Sequence, residues 1–279
     1  MPYKLQSRNV LVVAGSRGLG ALVAEKFAQE GCNVVINYMT SEAHAKEVLA
    51  KIRASVGEND GTSARTLGLV QGDAGVQSEC ARIVREAISI LGGLDVIISN
   101  AGWTKITKFD DLDAMDEDEW DRCWAVNVKG HMYLFKEALA TFNANPEGGV
   151  FIITSSVAGV ALHGSSMPYS VTKAAGLHLM KCLAQTQGSK VRVNAILPGL
   201  LMTDWGARFS DEKIKYVTEK ATLKQEGLEL RARKCKVDEM SVAQTKLEDC
   251  AATYVAVAKN TSLTGQEIQV DSGLFIGMS

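Results

Sequence analysis

A tyrosine and a lysine four positions apart, Tyr169 and Lys173, are the residues of this sequence whose types and spacing most directly suggest chemistry. On a helix, two side chains at this spacing lie on one face, one turn apart. A nearby ammonium group favours phenolate over phenol, so we expect Lys173 to lower the pKa of Tyr169 from its ordinary value of about 10. The pair would then be a proton donor. Because Y-x-x-x-K is a common pattern, Lys173 could also be an ordinary surface cation.

The elements that would position this pair alternate between short apolar runs and longer helical patterns. Strands are predicted at about residues 10–14, 33–38, 67–71, 94–99, 150–154, 191–197 and 267–270. Helices are predicted at about 41–54, 78–91, 120–142 and 247–259, with another ending at Gly31 and one carrying Tyr169. This alternation predicts an α/β fold, a Rossmann-type doubly wound parallel sheet with helices on both faces. No proline- or serine-rich linker interrupts the chain, so residues 1–279 are expected to form a single domain.

Composition and charge exclude several classes of protein. The chain has 279 residues, of which 46% are hydrophobic, enough for one large core. A net charge of −2 and a pI of about 6.1 provide no basic field for nucleic acid. The six cysteines contain no C-x-x-C pair and no histidine at ligand spacing, so neither a metal site nor a disulfide framework is predicted. No signal peptide and no apolar run near ~18 residues is present, so we expect a soluble, cytoplasmic protein without a membrane partner.

A glycine-rich turn joins the first predicted strand to the first predicted helix. Its residues are Gly15, Ser16, Arg17, Gly18, Leu19 and Gly20. Glycine lets the backbone approach a dinucleotide pyrophosphate, and the N-terminus of the following helix supplies free N–H groups and a positive dipole end. In this setting the turn predicts a dinucleotide site, although an ordinary tight connection would use the same residues.

The end of the second predicted strand indicates which dinucleotide is bound. A carboxylate there would bind a ribose 2′-hydroxyl and favour NAD, but residues 36–41, which include Asn37 and Tyr38, contain none. Arg17 lies within the glycine turn, where its guanidinium could pair with a 2′-phosphate. We therefore expect NADP(H), with Asn37 and Tyr38 beside it. The alternative is that Arg17 is simply solvated.

Together these patterns resemble the short-chain dehydrogenase/reductase family over nearly the whole chain. Residues 13–20 match its T-G-x-x-x-G-x-G motif, except that Val13 replaces the threonine and Ala14 the first glycine. The Ala14 methyl group is expected to crowd the turn, with Gly15 as compensation. Further segments match family motifs, namely Asp73 beside the adenine, Ser99-Asn100-Ala101-Gly102 for N-N-A-G, Pro198-Gly199 with Thr203 beside the nicotinamide, and Val270-Asp271-Ser272-Gly273 for V-D-G-G. The resemblance implies that Asp73, Asn100, Ala101, Gly102, Pro198, Gly199 and Thr203 bind the cofactor together with the glycine turn, Tyr169 and Lys173.

The same resemblance implies a catalytic tetrad. Its serine matches Ser156, thirteen residues before Tyr169, and its helix asparagine matches Asn127. The implied reaction is hydride transfer between nicotinamide C4 and a carbonyl carbon, with Tyr169 donating the proton to the forming alkoxide. Ser156 would polarise the carbonyl, Lys173 would also bind the nicotinamide ribose, and Asn127 would hold a water that relays protons to Lys173. Singly, Asn127 could be a plain helix residue and Ser156 a turn hydroxyl. With NADP(H), reduction is the expected direction.

Large residues after these motifs are predicted to wall the substrate pocket. They are Trp103, His163, Met167, Leu200, Met202 and Trp205, and they favour a bulky apolar or aromatic carbonyl compound over a sugar or short acid. Each could instead pack in the core or at a subunit contact. His163 could serve as a second acid or base, although a lone loop histidine is more often a bystander. Residues 203–244 are predicted to form a mobile helical lid, or else a solvated helix pair without a gating role.

Three functions are consistent with the sequence. The first is an NADPH-dependent reductase of a bulky ketone, such as one from secondary metabolism. The second is a reductase of a cyclic imine (C=N) at the same site, and the third is a cofactor-sensing regulator without activity. The complete tetrad argues against the third. Family members are commonly tetramers, so the resemblance implies a homo-oligomer, a dimer or a tetramer, whose other partner is a small carbonyl substrate.

Overall fold

The fold is built on a sheet of seven parallel strands. The computed structural model describes residues 3–56, 65–223 and 245–276. The strands are β1 (Asn9–Val13), β2 (Asn33–Tyr38), β3 (Leu67–Gln71), β4 (Val96–Ser99), β5 (Gly149–Thr154), β6 (Val191–Pro198) and β7 (Glu267–Val270). Their order across the sheet is β3-β2-β1-β4-β5-β6-β7, and neighbouring strands are parallel throughout. The expected α/β class with a doubly wound parallel sheet is confirmed.

Helices connect these strands across both faces of the sheet. They are α1 (Gly18–Gln29), α2 (Glu42–Val56), α3 (Gln77–Leu91), α4 (Glu117–Trp124), α5 (Gly130–Ala144), α6 (Met167–Gln187), α7 (Asp211–Lys220) and α8 (Leu247–Lys259). Short 3-10 turns lie at Val157–Gly159 and Gly206–Arg208. No helix in these described ranges is long and apolar enough to cross a membrane.

The long helix predicted at 120–142 is interrupted in the structure. A π-helical turn at Ala125–Lys129 joins α4 to α5. Such turns insert one extra residue into a helix and occur often at functional sites, and this one contains Asn127. Local hydrophobic spacing could not reveal the insertion. Of the predicted lid at 203–244, the structure describes residues 203–223, which include α7, whereas residues 224–244 lie outside the described residues.

The core consists of two apolar layers, one on each face of the sheet. In β1, Leu11 and Val13 belong to one layer and Val10 and Val12 to the other, and all four are fully buried. Because helices cover both faces, the central strands β1, β4 and β5 are continuous apolar runs instead of alternating ones. This is why the strand predictions from local sequence agree well with the structure.

The order of the strands determines where a ligand can bind. The chain winds in one direction from β1 to β3 and in the other from β4 to β7, so β1 and β4 flank the point of reversal. In open sheets of this kind, ligands bind in the crevice outside the carboxyl ends of the strands at that point. The glycine turn follows β1. The other predicted motifs lie at the same edge of the sheet: one begins at Ser99, the last residue of β4, one follows Thr154 at the end of β5, and one begins at Pro198 at the end of β6.

Candidate active site

Tyr169 and Lys173 lie near the start of α6, which two local signals define. The Ser166 hydroxyl caps the helix by accepting a hydrogen bond from the Tyr169 N–H at 3.3 Å, and Pro168 occupies the first turn, where its missing N–H is not needed. Both side chains line the main cavity. The buried Lys173 Nζ donates to the Thr154 carbonyl oxygen at 2.7 Å and lies 5.5 Å from the centroid of the Tyr169 ring. The structure therefore assembles the predicted pair at the carboxyl end of β5.

Ser156 joins this pair on the same cavity wall. Its hydroxyl lies close enough to the Tyr169 phenol to influence the pKa of that group, and it accepts the Ala158 N–H at 3.1 Å. The bond to Ala158 caps the 3-10 turn Val157–Gly159 and fixes the Ser156 hydroxyl in place. Three members of the predicted tetrad, Ser156, Tyr169 and Lys173, therefore line one cavity.

The expected lowering of the Tyr169 pKa is wrong for the protein without ligand. Burial raises the pKa of Tyr169 to about 12, and the nearby Ser156 hydroxyl offsets only part of that rise. Burial also lowers the pKa of Lys173 to about 8. The enclosure that brings the two groups together removes water from both, and this loss disfavours phenolate and ammonium alike. Tyr169 is therefore a protonated donor at neutral pH, and Lys173 changes charge close to that range.

Asn127, the fourth predicted member, is fully buried and lies behind the cavity wall. Its Oδ1 accepts the Trp103 N–H at 2.8 Å, and its Nδ2 donates to the Trp103 carbonyl oxygen at 2.9 Å and to Thr172 Oγ1 at 3.0 Å. The side chain therefore holds the segment after β4 against α6. The backbone carbonyl of Asn127 interacts with the His131 imidazole. The water relay predicted for Asn127 stays a prediction.

A buried histidine behind the tetrad was missed by the sequence reasoning. His131 follows Asn127 by one helical turn, and its Nδ1 lies 2.6 Å from Ser99 Oγ. Burial, followed by the positive charge of Lys173, lowers the pKa of His131 to about 3, so the imidazole is neutral. The spacing from Asn127 and the unusual serine at position 99 were the signals that could have revealed this contact.

The glycine turn is packed too tightly for side chains at two positions. A Cβ atom on Gly20 would lie 2.5 Å from the Ala14 carbonyl oxygen and 2.6 Å from Asn100 Nδ2. A Cβ atom on Gly15 would lie 2.8 Å from Ile36 Cγ2. Asn100 Nδ2 also donates to the Ala14 carbonyl oxygen at 3.2 Å, which ties the turn to the end of β4. The resulting cradle is built from backbone, as close approach of a pyrophosphate requires.

Ala14, the departure from the family motif, has a left-handed backbone conformation with φ of 53°. A residue with a Cβ atom is destabilised by roughly 1–2 kcal/mol in that conformation, because the Cβ atom lies too close to the following carbonyl oxygen. The crowding expected from the Ala14 methyl group is therefore a backbone strain. Asn37 supports the turn here, because its Oδ1 accepts the Ala14 N–H at 3.1 Å while its Nδ2 donates to the carbonyl oxygens of Val70 and Gly72 at 3.2 and 3.1 Å. The buried Asn37 side chain therefore uses both its oxygen and its nitrogen in hydrogen bonds to backbone groups. Tyr38 is also buried and lies off the cavity wall.

The start of α1 has the features that a pyrophosphate needs. No side chain caps it and no carboxylate lies in its first turn, so its first N–H groups are left for a ligand anion. The Arg17 side chain lines the cavity and has no ion-pair partner in the described ranges. These residues fit NADP(H), and the pairing of Arg17 with the 2′-phosphate stays a prediction.

Asp73, expected beside the adenine, is engaged by an arginine that the sequence reasoning missed. Arg122 of α4 places its two terminal nitrogens 2.9 Å from the two carboxylate oxygens of Asp73, and the Gly75 N–H donates to the same carboxylate at 2.8 Å. Burial acts to raise the pKa of Asp73, but these contacts outweigh it and hold the pKa below its ordinary value. Arg122 also lies 3.8 Å from Met39 Sδ, just beyond β2. A fixed ion pair therefore borders the region predicted to hold the adenosine.

One cavity of about 370 Å³ joins the glycine turn to the tetrad and continues to α7. Its predicted wall residues are Arg17, Gly18, Leu19, Gly20, Asn100, Gly102, Ser156, His163, Tyr169, Lys173, Pro198, Gly199, Leu200, Thr203 and Trp205. Wall residues that the sequence reasoning did not single out include Leu201, Asp204, Arg208, Phe209, Lys213, Val217 and Leu274. Most of these come from the predicted lid, and only the fold shows which of its residues turn toward Tyr169.

Several predicted site residues lie off this wall. Trp103 packs against the core, Met167 lines a separate small cavity beside Trp120, and Met202 is half-buried outside the main cavity. Gly15, Ser16, Asn37, Tyr38, Asp73, Ala101 and Asn127 also lie off it. Trp205, by contrast, places its ring 6.1 Å from that of Tyr169, measured between centroids. Fewer of the predicted substrate-binding residues therefore line the main cavity than expected, namely His163, Leu200 and Trp205.

Comparison with known proteins agrees with this geometry. Residues 8–214 match the family model described as short chain dehydrogenase. The chain belongs to the short-chain dehydrogenase family. Versicolorin reductase 1 of Aspergillus parasiticus is 31% identical to it over 286 residues, which cover 98% of each chain. The 3-oxoacyl-(acyl-carrier-protein) reductase FabG of Staphylococcus epidermidis is 29% identical over 271 residues, which cover 97% of this chain and 100% of the relative.

A solved structure of the short-chain dehydrogenase family shares the fold over its full length. A short chain dehydrogenase from Burkholderia cenocepacia J2315, in complex with NADP, matches with a TM-score of 0.80 at 26% identity, covering 98% of this chain and 99% of that one. As a short-chain dehydrogenase, the protein is an oxidoreductase that uses NAD(P)H. The glycine turn, the start of α1 and Arg17 of this chain fit NADP(H).

Proposed function

We propose that this short-chain dehydrogenase uses NADPH to reduce the ketone of a bulky apolar or aromatic substrate to a secondary alcohol. The main support is one continuous cavity whose wall runs from Arg17 and the glycine turn to Tyr169. Beyond Tyr169 the wall is formed by large apolar side chains such as Trp205, Phe209 and Leu200. A ring-bearing ketone placed there would bring its carbonyl to Ser156 and Tyr169.

The residues divide the chemistry between them. A bound nicotinamide supplies the hydride, and the protein supplies position and protons. Tyr169, protonated at neutral pH, donates to the oxygen on which negative charge develops. Ser156 holds that oxygen through a second hydrogen bond. Lys173, whose pKa of about 8 lies near the working range, can return a proton to Tyr169 after each turnover.

Two relatives support reduction as the physiological direction. Both versicolorin reductase 1 and the FabG relative are named as reductases, and each aligns with nearly the whole chain. A substrate from specialised metabolism stays a prediction. Cytoplasmic location, a homodimer or homotetramer, and movement of residues 203–244 as a lid stay predictions.

Substitution of Tyr169 by phenylalanine tests the proposal. We expect Tyr169→Phe to bind NADPH as the wild type does, because the ring remains, and to lose at least about 100-fold in kcat on bicyclic ketones such as 2-tetralone, because the proton donor is gone. Tyr216→Phe is the matched control, since Tyr216 is exposed and lies off the cavity wall. NADPH affinity is measured by fluorescence titration and kcat by NADPH absorbance.

The same assay separates the alternatives. Undiminished ketone reduction by Tyr169→Phe would refute the assigned role of the tyrosine. NADPH consumption with cyclic imines but not with ketones would move the assignment to C=N reduction. NADPH binding without turnover on either panel would favour a regulator.

A further inference from the structure

The substrate end of the main cavity carries more positive charge than ketone reduction requires. Arg17 and Lys173 are assigned to the cofactor and the proton donor. Arg208, from the 3-10 turn Gly206–Arg208, and Lys213, from the first turn of α7, also line the cavity. Neither Arg208 nor Lys213 has an ion-pair partner within residues 3–56, 65–223 and 245–276. Two cations are therefore left over at the end away from the nicotinamide site.

His163 lies near Lys213 at this end of the cavity. Burial, followed by the charge of Lys213, lowers the pKa of His163, so its imidazole is neutral at physiological pH. Its Nε2 atom is enclosed and has no hydrogen-bond partner among the residues that the structure describes. Leaving a buried polar atom unsatisfied costs free energy, and native proteins rarely do so without a reason. A ligand atom bound beside Lys213 would be such a partner.

One carboxylate on the same wall opposes this positive charge. Asp204 lines the cavity, but it is exposed and forms no ion pair with either Arg208 or Lys213. Lys213 is half-buried, and its neighbours on the wall include the apolar side chains of Phe209 and Val217. Water screens an exposed charge more strongly than a half-buried one. Among the described wall residues, Asp204 therefore offsets only part of the positive charge of Lys213.

We propose that the substrate carries a carboxylate in addition to its ketone, and that this group is held by Lys213 and His163, with Arg208 at the cavity mouth. The inference rests on the proposed function, because it names the class of ketone that the same site accepts. The apolar side chains between Tyr169 and Lys213 would receive the ring that separates the two polar ends. The substrate class is therefore an aromatic or alicyclic keto acid.

Binding of a non-reacting acid tests this subsite apart from catalysis. The probes are 2-naphthoate and its neutral isostere 2-naphthamide, titrated calorimetrically into the protein saturated with NADP⁺. A charge-assisted hydrogen bond to Lys213 should make naphthoate bind at least about 10-fold more tightly than the amide. Lys213→Met should abolish that preference, Lys213→Arg should keep it, and His163→Leu should reduce it more than His163→Gln.

Lys215→Met is the matched control, because Lys215 lies two residues further on α7, is exposed and is placed near Glu219. It should leave the preference for naphthoate unchanged. Equal binding of the two probes by the wild type, no detectable binding of naphthoate, or the same loss in Lys215→Met would each overturn the proposal.

Activity on a neutral ketone separates the two hypotheses. Lys215→Met should keep the wild-type kcat on 2-tetralone, because Lys215 is exposed and lies off the cavity wall. If the wild type prefers naphthoate yet reduces no ketone, the anion subsite stands and the proposed reaction fails. If 2-tetralone is reduced and naphthoate shows no preference, the reaction stands and the subsite fails.

Discussion

Replacing Lys173 by methionine should change how the stability of the cofactor-free protein depends on pH. Lys173 is almost completely buried, and its amine donates to the Thr154 carbonyl oxygen whether or not it is charged. Burial lowers its pKa in the folded protein from 10.5 to about 8. Below pH 8 the amine is charged in both the folded and the unfolded chain, so the full cost of enclosing the charge is present.

The magnitude follows from this difference in pKa. Between pH 8 and 10.5 the unfolded chain binds more protons than the folded one, so the contribution of Lys173 to stability rises with pH. Above pH 10.5 the amine is neutral in both states and the cost is gone. At ~1.4 kcal/mol per pKa unit, the buried charge costs the folded protein on the order of 3 kcal/mol at neutral pH. Methionine carries no buried charge, but it leaves the Thr154 carbonyl oxygen without a hydrogen-bond donor. The unsatisfied oxygen reduces the gain in stability by about 1–3 kcal/mol.

The pH dependence of the difference between the two proteins is therefore the quantity to measure. Urea unfolding of wild type and Lys173→Met at pH 7, 8 and 9 should show the difference in free energy of unfolding shifting toward the wild type by about 1.4 kcal/mol over that range. Buried thiols with raised pKa values act in the opposite direction above pH 9, but they are present in both proteins and cancel. A difference that stays constant from pH 7 to 9 would refute the lowered pKa and the proton-return role built on it.

Two further substitutions test the cofactor end. Arg17→Ala should weaken NADPH binding at least about 10-fold while leaving NADH binding unchanged, because only NADPH has the 2′-phosphate; adding Tyr38→Glu should shift preference toward NADH. Fluorescence titrations with both cofactors decide this, and equal losses would contradict it. Arg122→Gln should lower the free energy of unfolding by about 1 kcal/mol, because a half-buried bidentate pair with Asp73 is lost, whereas the exposed Arg85→Gln should cost less than about 0.5 kcal/mol in the same urea experiment.

Some parts of the site could be predicted because their signals are local. The four-residue spacing of Tyr169 and Lys173 fixes one helix face, and the glycine turn directly follows an apolar strand. The strands at 33–38, 67–71 and 267–270 have the predicted bounds. The strand β2 is almost entirely buried, as its continuous apolar run predicts, whereas β3 and β7 at the two edges of the sheet are only partly buried. Motif order then placed Ser156 on the same wall as Tyr169.

Other contacts join residues that are far apart in the sequence. Arg122 and Asp73 are 49 residues apart, and His131 and Ser99 are 32 apart. No periodicity links such positions, because the packing of α4 and α5 against the ends of β3 and β4 brings them together. The same holds for Lys213 and His163, which are 50 positions apart in the sequence but line one cavity.

By itself, the sequence determined the doubly wound sheet, the glycine turn after β1 and the spacing of Tyr169 and Lys173, the pair to which we assign proton donation. The tertiary structure decided the protonation of that pair, the task of Asn37 in holding the turn at Ala14, and the charge at the substrate end. The physical reason is that hydrophobic period and motif spacing are properties of neighbouring residues, whereas desolvation and charge pairing depend on what the fold encloses around a group. Lys173 was therefore recognisable from its position relative to Tyr169, but its pKa could be assigned only once the walls around it were known.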